Sequence, residues 1–227
     1  MNSEDDRLLL DPAEIRVLGA LVEKAVTTPD YYPLSLNALV NACNQSSNRH
    51  PVVEFGEPTV LRALEGLRNR KLVFLFEGAG SRVARYGQKF SDTLGLSPAE
   101  SAALCVLMLR GPQTTGEIRA RSGRLHEFAS LDEVESTLQS LAARAPQPFV
   151  TRLPRQTGFK EPRYAHLLGG PPSDLALHEG EPEAQPGTGV DSPENDRVAQ
   201  LTLEVAELRR ELGDLKTQFA DFRKQLE

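Results

Sequence analysis

The pattern of apolar and polar positions predicts two sets of three helices, each set followed by two short strands. In the first helix of each set, apolar side chains recur three and four residues apart, which places them on one helical face. They are Leu18, Leu21, Val22 and Ala25 in one set and Leu104, Leu107 and Met108 in the other. We predict shorter second helices over roughly 35–43 and 114–122, and third helices over 57–70 and 131–144.

Residues that favour helix starts stand where these helices begin. Asp11 and Ser97 are predicted N-caps, and each precedes a proline at the first helical position. Ser130 with Glu133 predicts a capping box for the last helix.

Two strands follow each third helix. In the first set they are LVFLFE and RVARYG, joined by a Gly-Ala-Gly-Ser turn at 78–81, and in the second set FVTRL and RYAHL, joined by a longer loop. Three helices followed by a β-hairpin is the order of a winged helix.

Three pairs of similar stretches show that the two sets are copies of one unit. The stretches beginning at residues 10 and 96 both read L-x-P-A-E, VLRALEGL resembles VESTLQSL, and RYGQKF resembles RYAHLL. The offsets of 86, 74 and 78 residues keep the same order. We therefore predict an α+β, mainly helical fold with winged-helix domains over 1–92 and 93–168.

The remaining chain divides into a linker and a helix. Ten of the 28 residues in 169–196 are Gly or Pro, which predicts a disordered linker. In 197–227 apolar residues alternate steps of three and four, which predicts a parallel homodimeric coiled coil. They are Val198, Leu201, Val205, Leu208, Leu212, Leu215, Phe219 and Phe222, with Leu226 beyond them. The alternative is a single amphipathic helix that folds back on the core.

Composition indicates a cytoplasmic protein. No apolar run is long enough to span a membrane, and the acidic N-terminus lacks the features of a signal peptide. Cys43 and Cys105 form no disulfide or metal pattern. The net charge of −6 divides unevenly, because residues 171–227 carry −7 and the rest +1. The acidity therefore does not exclude nucleic acid as a partner of the first domains.

Four long stretches of the sequence are distinctive. They are RVLGALVEKAVTTPDYYPLSLNALVNACNQSSNRHPV at 16–52, SRVARYGQKF at 81–90, LRGPQTTGEIRARSGRLHEF at 109–128 and VESTLQSLA at 134–142. Through them the sequence resembles the YceH family of bacterial proteins over nearly its whole length. It departs from the family pattern at Ser46, where lysine is common, and at His50, where an acidic residue is common. The resemblance implies a tandem winged-helix fold with a helical tail and implies no activity.

The first domain carries the residues expected to bind duplex DNA. In winged helices that bind DNA, the third helix enters the major groove and the wing contacts the backbone. Arginine and the amide side chains provide donors suited to base edges and phosphates. The predicted set is Arg62, Arg68 and Asn69 on the third helix, Arg82, Arg85 and Lys89 on the wing, and Asn44, Gln45, Asn48 and Arg49 in the loop before it. The alternative is a solvated helix face and a loop whose amides bind their own backbone.

The second domain indicates a different role. Its third helix begins with Asp132, Glu133 and Glu135, which repel phosphate, so we expect it to pack on the first domain or bind protein. An adaptor that docks proteins without nucleic acid is therefore the competing hypothesis. No arrangement of residues predicts a catalytic centre, a metal site or a cofactor. We expect a binding protein rather than an enzyme.

Overall fold

Helices dominate the computed structural model, which describes residues 8–76, 83–154 and 161–172. The elements are α1 (Pro12–Thr27), a 3₁₀ turn (Pro29–Tyr31), β1 (Leu34–Ser35), α2 (Leu36–Cys43), α3 (Glu57–Asn69), β2 (Val73–Phe76), β3 (Arg85–Gln88), α4 (Phe90–Leu94), α5 (Pro98–Arg110), α6 (Thr115–Ser122), α7 (Leu131–Ala142), β4 (Val150–Arg152) and β5 (Tyr164–His166). The α+β class and the six predicted helices are confirmed. The predicted coiled coil, the linker beyond residue 172 and the turn at 78–81 lie outside the described residues.

Side-chain caps set the helix starts. The Asp11 carboxylate accepts the Glu14 N–H at 2.8 Å, and the Glu14 carboxylate accepts the Asp11 N–H at 2.9 Å. Ser97 with Glu100 caps α5 in the same reciprocal way. The capping box predicted at Ser130 has only one of its two bonds, because the Glu133 carboxylate accepts the Ala129 N–H instead.

Each repeat also contains a strand pairing that the sequence pattern does not predict. In the first repeat the sheet is antiparallel with the order β1-β3-β2, and Leu34 lies opposite Tyr86. In the second repeat, β4 pairs with β5, and an isolated bridge joins Gln113 to Tyr164. Tyr86 and Tyr164 occupy equivalent positions of the repeated R-Y stretch. The additional pairing is β1 with β3 in the first repeat and the Gln113–Tyr164 bridge in the second. It therefore belongs to the repeated unit.

The two repeats share one hydrophobic core, in which α1 packs against α5. Gly19 brings the two helices together, since a Cβ atom placed on it would lie 2.9 Å from Leu109 Cδ2 and 3.2 Å from Met108 Cβ. The Cys105 thiol lies 3.5 Å from the Gly19 carbonyl oxygen and donates to it. His50 N–H donates to the Leu109 carbonyl at 2.8 Å, which adds a backbone bond across the same boundary.

The first residues described extend this contact to the end of the second repeat. Leu10 N–H donates to the Leu168 carbonyl at 2.7 Å, and Leu8 exchanges two hydrogen bonds with the Gln147 amide. Among the described helices, none is both long and apolar enough to cross a membrane.

We predict that Gly19→Ala lowers the free energy of unfolding by about 1–3 kcal/mol, because the added methyl group overpacks the α1–α5 contact. Gly123→Ala is the matched control, since a Cβ atom there meets nothing within 4 Å. Its effect should stay within about 0.5 kcal/mol. Chemical denaturation of the two variants measures the difference, and equal stabilities would contradict the close approach at Gly19.

Candidate nucleic-acid interface

Helix α3 has a buried face and a polar face. Val60, Ala63, Leu64 and Leu67 are buried, at the helical spacing that the sequence predicts. The opposite side exposes the three predicted contact residues Arg62, Arg68 and Asn69 together with two carboxylates. The acidic members of this side are Glu57 and Glu65. The polar face of α3 is therefore of mixed charge, with Arg62 near the middle of the helix and Arg68 in its last turn.

The hairpin next to α3 presents a second cationic surface. Arg85 and Lys89 are exposed and lie on one face of β3 and its extension, since strand residues two apart share a face. Arg85 Nη1 donates to the Pro33 carbonyl at 3.1 Å. This hydrogen bond holds the Arg85 side chain near the start of β1. The Lys89 ammonium lies 5.9 Å from the centre of the Phe74 ring, a cation–π contact.

Phe74 can lie flat on the hairpin because its cross-strand partner is Gly87. A Cβ atom on Gly87 would overlap the Phe74 ring. The glycine therefore positions the aromatic ring, and the ring positions Lys89. The predicted wing residue Arg82 lies outside the described residues.

Ion pairing separates the basic residues of the first repeat into two groups. Arg49 pairs with Glu23, and Arg70 pairs with Glu14 at 2.8 Å. Five exposed cations make no ion pair with any carboxylate of the described residues. They are Arg62, Arg68, Lys71, Arg85 and Lys89. These five residues lie on α3, directly after it or on the hairpin, so the cations without an ion pair are grouped on these two neighbouring parts of the first repeat.

The asparagine-rich loop has a structural role that the sequence interpretation underestimates. Arg49 is 6% exposed, and its guanidinium donates to Glu23 at 2.6 Å, to the Ala42 carbonyl at 2.9 Å and to Gln45 Oε1 at 3.0 Å. The buried guanidinium is thus surrounded by acceptors of its own chain. This geometry does not support a phosphate contact by Arg49 or Gln45.

Asn44 and Asn48 are also engaged within the protein. The Asn44 amide donates to the Phe55 carbonyl at 2.9 Å and accepts the Phe55 N–H at 2.8 Å, so it mimics a strand pairing. Asn48 has a positive φ of 60°, a conformation that asparagine tolerates better than most residues. Its side-chain oxygen accepts a hydrogen bond from Arg110. The loop side chains therefore bind their own chain, as the alternative interpretation of this loop expects.

The corresponding helix of the second repeat is acidic on its exposed side. Asp132 and Glu135 are exposed near the start of α7, and Glu133 binds both the Ala129 N–H and His126. These two donors lower the pKa of the Glu133 carboxyl. The helix therefore presents negative charge where α3 presents mixed charge, in agreement with the asymmetry seen in the sequence.

Both cysteines are buried and unbridged. Burial raises the pKa of the Cys43 thiol to about 12 and also raises that of Cys105, so neither is a nucleophile at neutral pH. Within the described ranges, no group of three or more His, Cys, Asp or Glu side chains could hold a metal ion.

Comparison with known proteins places the chain in a family. Residues 10–159 match the family described as "Protein of unknown function, DUF480". The chain belongs to this family. It is 56% identical to a UPF0502 protein of Opitutus terrae over 87% of this chain and 82% of the relative. It is 48% identical to a UPF0502 protein of Pelobacter propionicus over 97% and 99% of the two chains.

The membership confirms the resemblance to the YceH family, which is the UPF0502 family under another name. A UPF0502 protein of Solibacter usitatus is also similar, at 54% identity over 87% of this chain and 92% of the relative. None of these names specifies a ligand or a reaction.

We predict that Arg49→Met lowers the free energy of unfolding by about 3–5 kcal/mol, because it leaves the Glu23 carboxylate without its buried partner. Arg62→Met removes the same charge from an exposed position and should change stability by no more than about 0.5 kcal/mol. Urea denaturation compares the two variants. Similar losses for both would contradict a structural role for Arg49.

Proposed function

We propose that this protein is a non-enzymatic, tandem winged-helix protein that binds duplex DNA through its first repeat. The observation that carries the proposal is the concentration of exposed, unpaired cations on α3 and the adjoining hairpin. Three helices are followed by a hairpin, and the third helix and the hairpin carry these cations, as do the parts that winged helices use on DNA. Cationic side chains of this kind supply the electrostatic part of DNA affinity.

In the proposed complex, α3 enters the major groove and the hairpin lies along the phosphates. Arg85 and Lys89 anchor the backbone, whereas Arg62, Arg68 and Asn69 reach base edges. The loop residues Asn44, Gln45 and Arg49 support the fold and are left out of the interface. Glu65 beside Arg62 reduces nonspecific attraction to phosphate, so we expect affinity to depend on base contacts as well as on charge.

The proposal includes a cytoplasmic homodimer joined by the heptads of residues 197–227. From composition we infer a flexible linker over residues 173–196, and 24 such residues would span roughly 25–30 Å on average, so the dimer would raise local concentration more than it would fix the spacing of two half-sites. Two buried thiols without a disulfide fit a reducing compartment.

A protein-docking adaptor is the second candidate. Large apolar side chains are exposed on the same elements: Leu61 is 43% and Phe76 49% exposed, and Leu131 at the start of α7 is 47% exposed. Exposed apolar groups beside the acidic side of α7 favour contact with a protein rather than with a polyanion.

We predict that the full chain binds a mixed pool of duplex DNA with an affinity that falls steeply as salt rises. The double variant Arg62→Ala/Arg68→Ala should lose at least roughly tenfold in affinity, because both guanidinium groups lie in the groove, whereas Arg85→Ala/Lys89→Ala should also reduce the salt slope by about 2, one for each lost phosphate contact. Fluorescence anisotropy at several salt concentrations measures both quantities.

The matched control is Arg124→Ala/Arg152→Ala, which removes two exposed arginines from the second repeat. It should bind DNA nearly as the unchanged protein does. Equal losses for this control and for Arg62→Ala/Arg68→Ala would reject α3 as the interface. The absence of salt-sensitive binding at low ionic strength would reject the DNA proposal and favour the adaptor.

A further inference from the structure

A cavity of about 520 Å³ lies between the two repeats, and no residue of α3 lines it. Its walls come from the start of α1, the loop after Arg49, the end of α5, β5 and residues 169–172. Most lining side chains are apolar, among them Ile15, Val53, Phe55 and Met108. The volume falls within the range of about 300–1,000 Å³ that is usual for small-molecule sites, which often occur where two units meet.

One positive charge lines this apolar cavity without a carboxylate partner. Arg16 is 5% exposed, and its guanidinium donates to the Cys43 carbonyl at 3.3 Å and to the Pro51 carbonyl at 2.5 Å. Its remaining N–H groups have no partner among the described residues, and a guanidinium carries five such donors. Burial, and then the nearby charge of Arg49, lower the pKa of Arg16, but an arginine remains cationic at neutral pH.

The rest of the lining favours an anion. Among the described residues that line the cavity none is acidic, and the ionisable ones are Arg16, His50 and His166. The Nδ1 atom of His166 is buried and has no hydrogen-bond partner among the described residues. Burial lowers the pKa of His166 to about 4, so the ring is neutral at neutral pH. Its Nδ1 atom can then either donate or accept one hydrogen bond to a ligand, depending on the tautomer.

The two buried arginines differ in the partners that surround them. Arg49 is buried beside Glu23, which neutralises it within the chain. Arg16 has backbone carbonyls only, and buried charges in proteins are normally paired. An anion delivered by a ligand would complete the set of acceptors around Arg16, and the apolar walls would cover the remainder of that ligand.

We propose that this cavity binds a small amphipathic carboxylic acid, with its carboxylate at Arg16 and its apolar body between Val53, Phe55 and Met108. The site is separate from the α3 surface. It therefore exists whether or not the protein binds DNA.

The test compares decanoate with decanol, which share a chain and differ in charge, by isothermal titration calorimetry on the full-length protein. Decanoate should bind at one site, and decanol should bind at least roughly tenfold more weakly, since it lacks the charge-assisted bonds to the guanidinium. Arg16→Met should remove that preference. Equal affinities for the two probes, or no heat from decanoate at millimolar concentration, would overturn the proposal.

A neighbouring pair of variants keeps the test decisive if Arg16→Met does not fold. Val53→Asp places a carboxylate in the cavity wall. Val52→Asp places one at the preceding residue, which is 56% exposed and does not line the cavity. Val53→Asp should weaken decanoate roughly tenfold and decanol much less, because only the anion is repelled. Equal effects of the two substitutions on decanoate would show that it binds elsewhere.

Discussion

The close approach of α1 to α5 at Gly19 is the contact on which the described structure depends. Each repeat has three helices and a small sheet, and its first helix would expose an apolar face if it stood alone. Residues 17–22 of α1 and 102–109 of α5 are all buried, because each helix packs both on the other helices of its own repeat and on the other member of this pair. Helix α3 packs on α1, and α7 packs on α5. The positions of α3 and α7 therefore depend on the α1–α5 contact, because all four helices belong to one closely packed core.

Two buried arginines complete the junction, and they differ in a way that matters for function. Arg49 has a carboxylate, a side-chain amide and a backbone carbonyl around it, so its burial specifies the loop that follows α2. Arg16 has only carbonyl oxygens, next to an apolar cavity. The first arrangement is complete within the chain. The second leaves a charge that a ligand can satisfy, and it lies at the boundary between the repeats.

The regular elements could be predicted from sequence because their signals are local. Apolar spacing locates α3 and α7, and the Asp11 and Ser97 caps fix where α1 and α5 begin. The short pairing of β1 with β3 could not be predicted in this way. It involves two residues, and it depends on where the chain brings Leu34 relative to Tyr86.

The site was predicted less completely, because burial of a charged residue is a tertiary property. Arg49 and Arg62 are alike in sequence terms, yet one is enclosed by Glu23 and the other is exposed. The residues around Arg49 in the sequence do not predict its pairing with Glu23, which lies 26 residues away. Arg16 was missed for the same reason: it stands on the first helix, and only the folded chain shows that it lines a cavity without an acidic partner.

Because the two repeats share one core, they should unfold as one cooperative unit. Native-state hydrogen exchange of the full chain carrying Leu138→Ala, a core truncation confined to α7, tests it most directly. If the repeats share one core, the most protected amides of α1 and α3 should lose as much protection as those of α7. Loss of protection in the second repeat alone, with α1 and α3 unchanged, would contradict the claim.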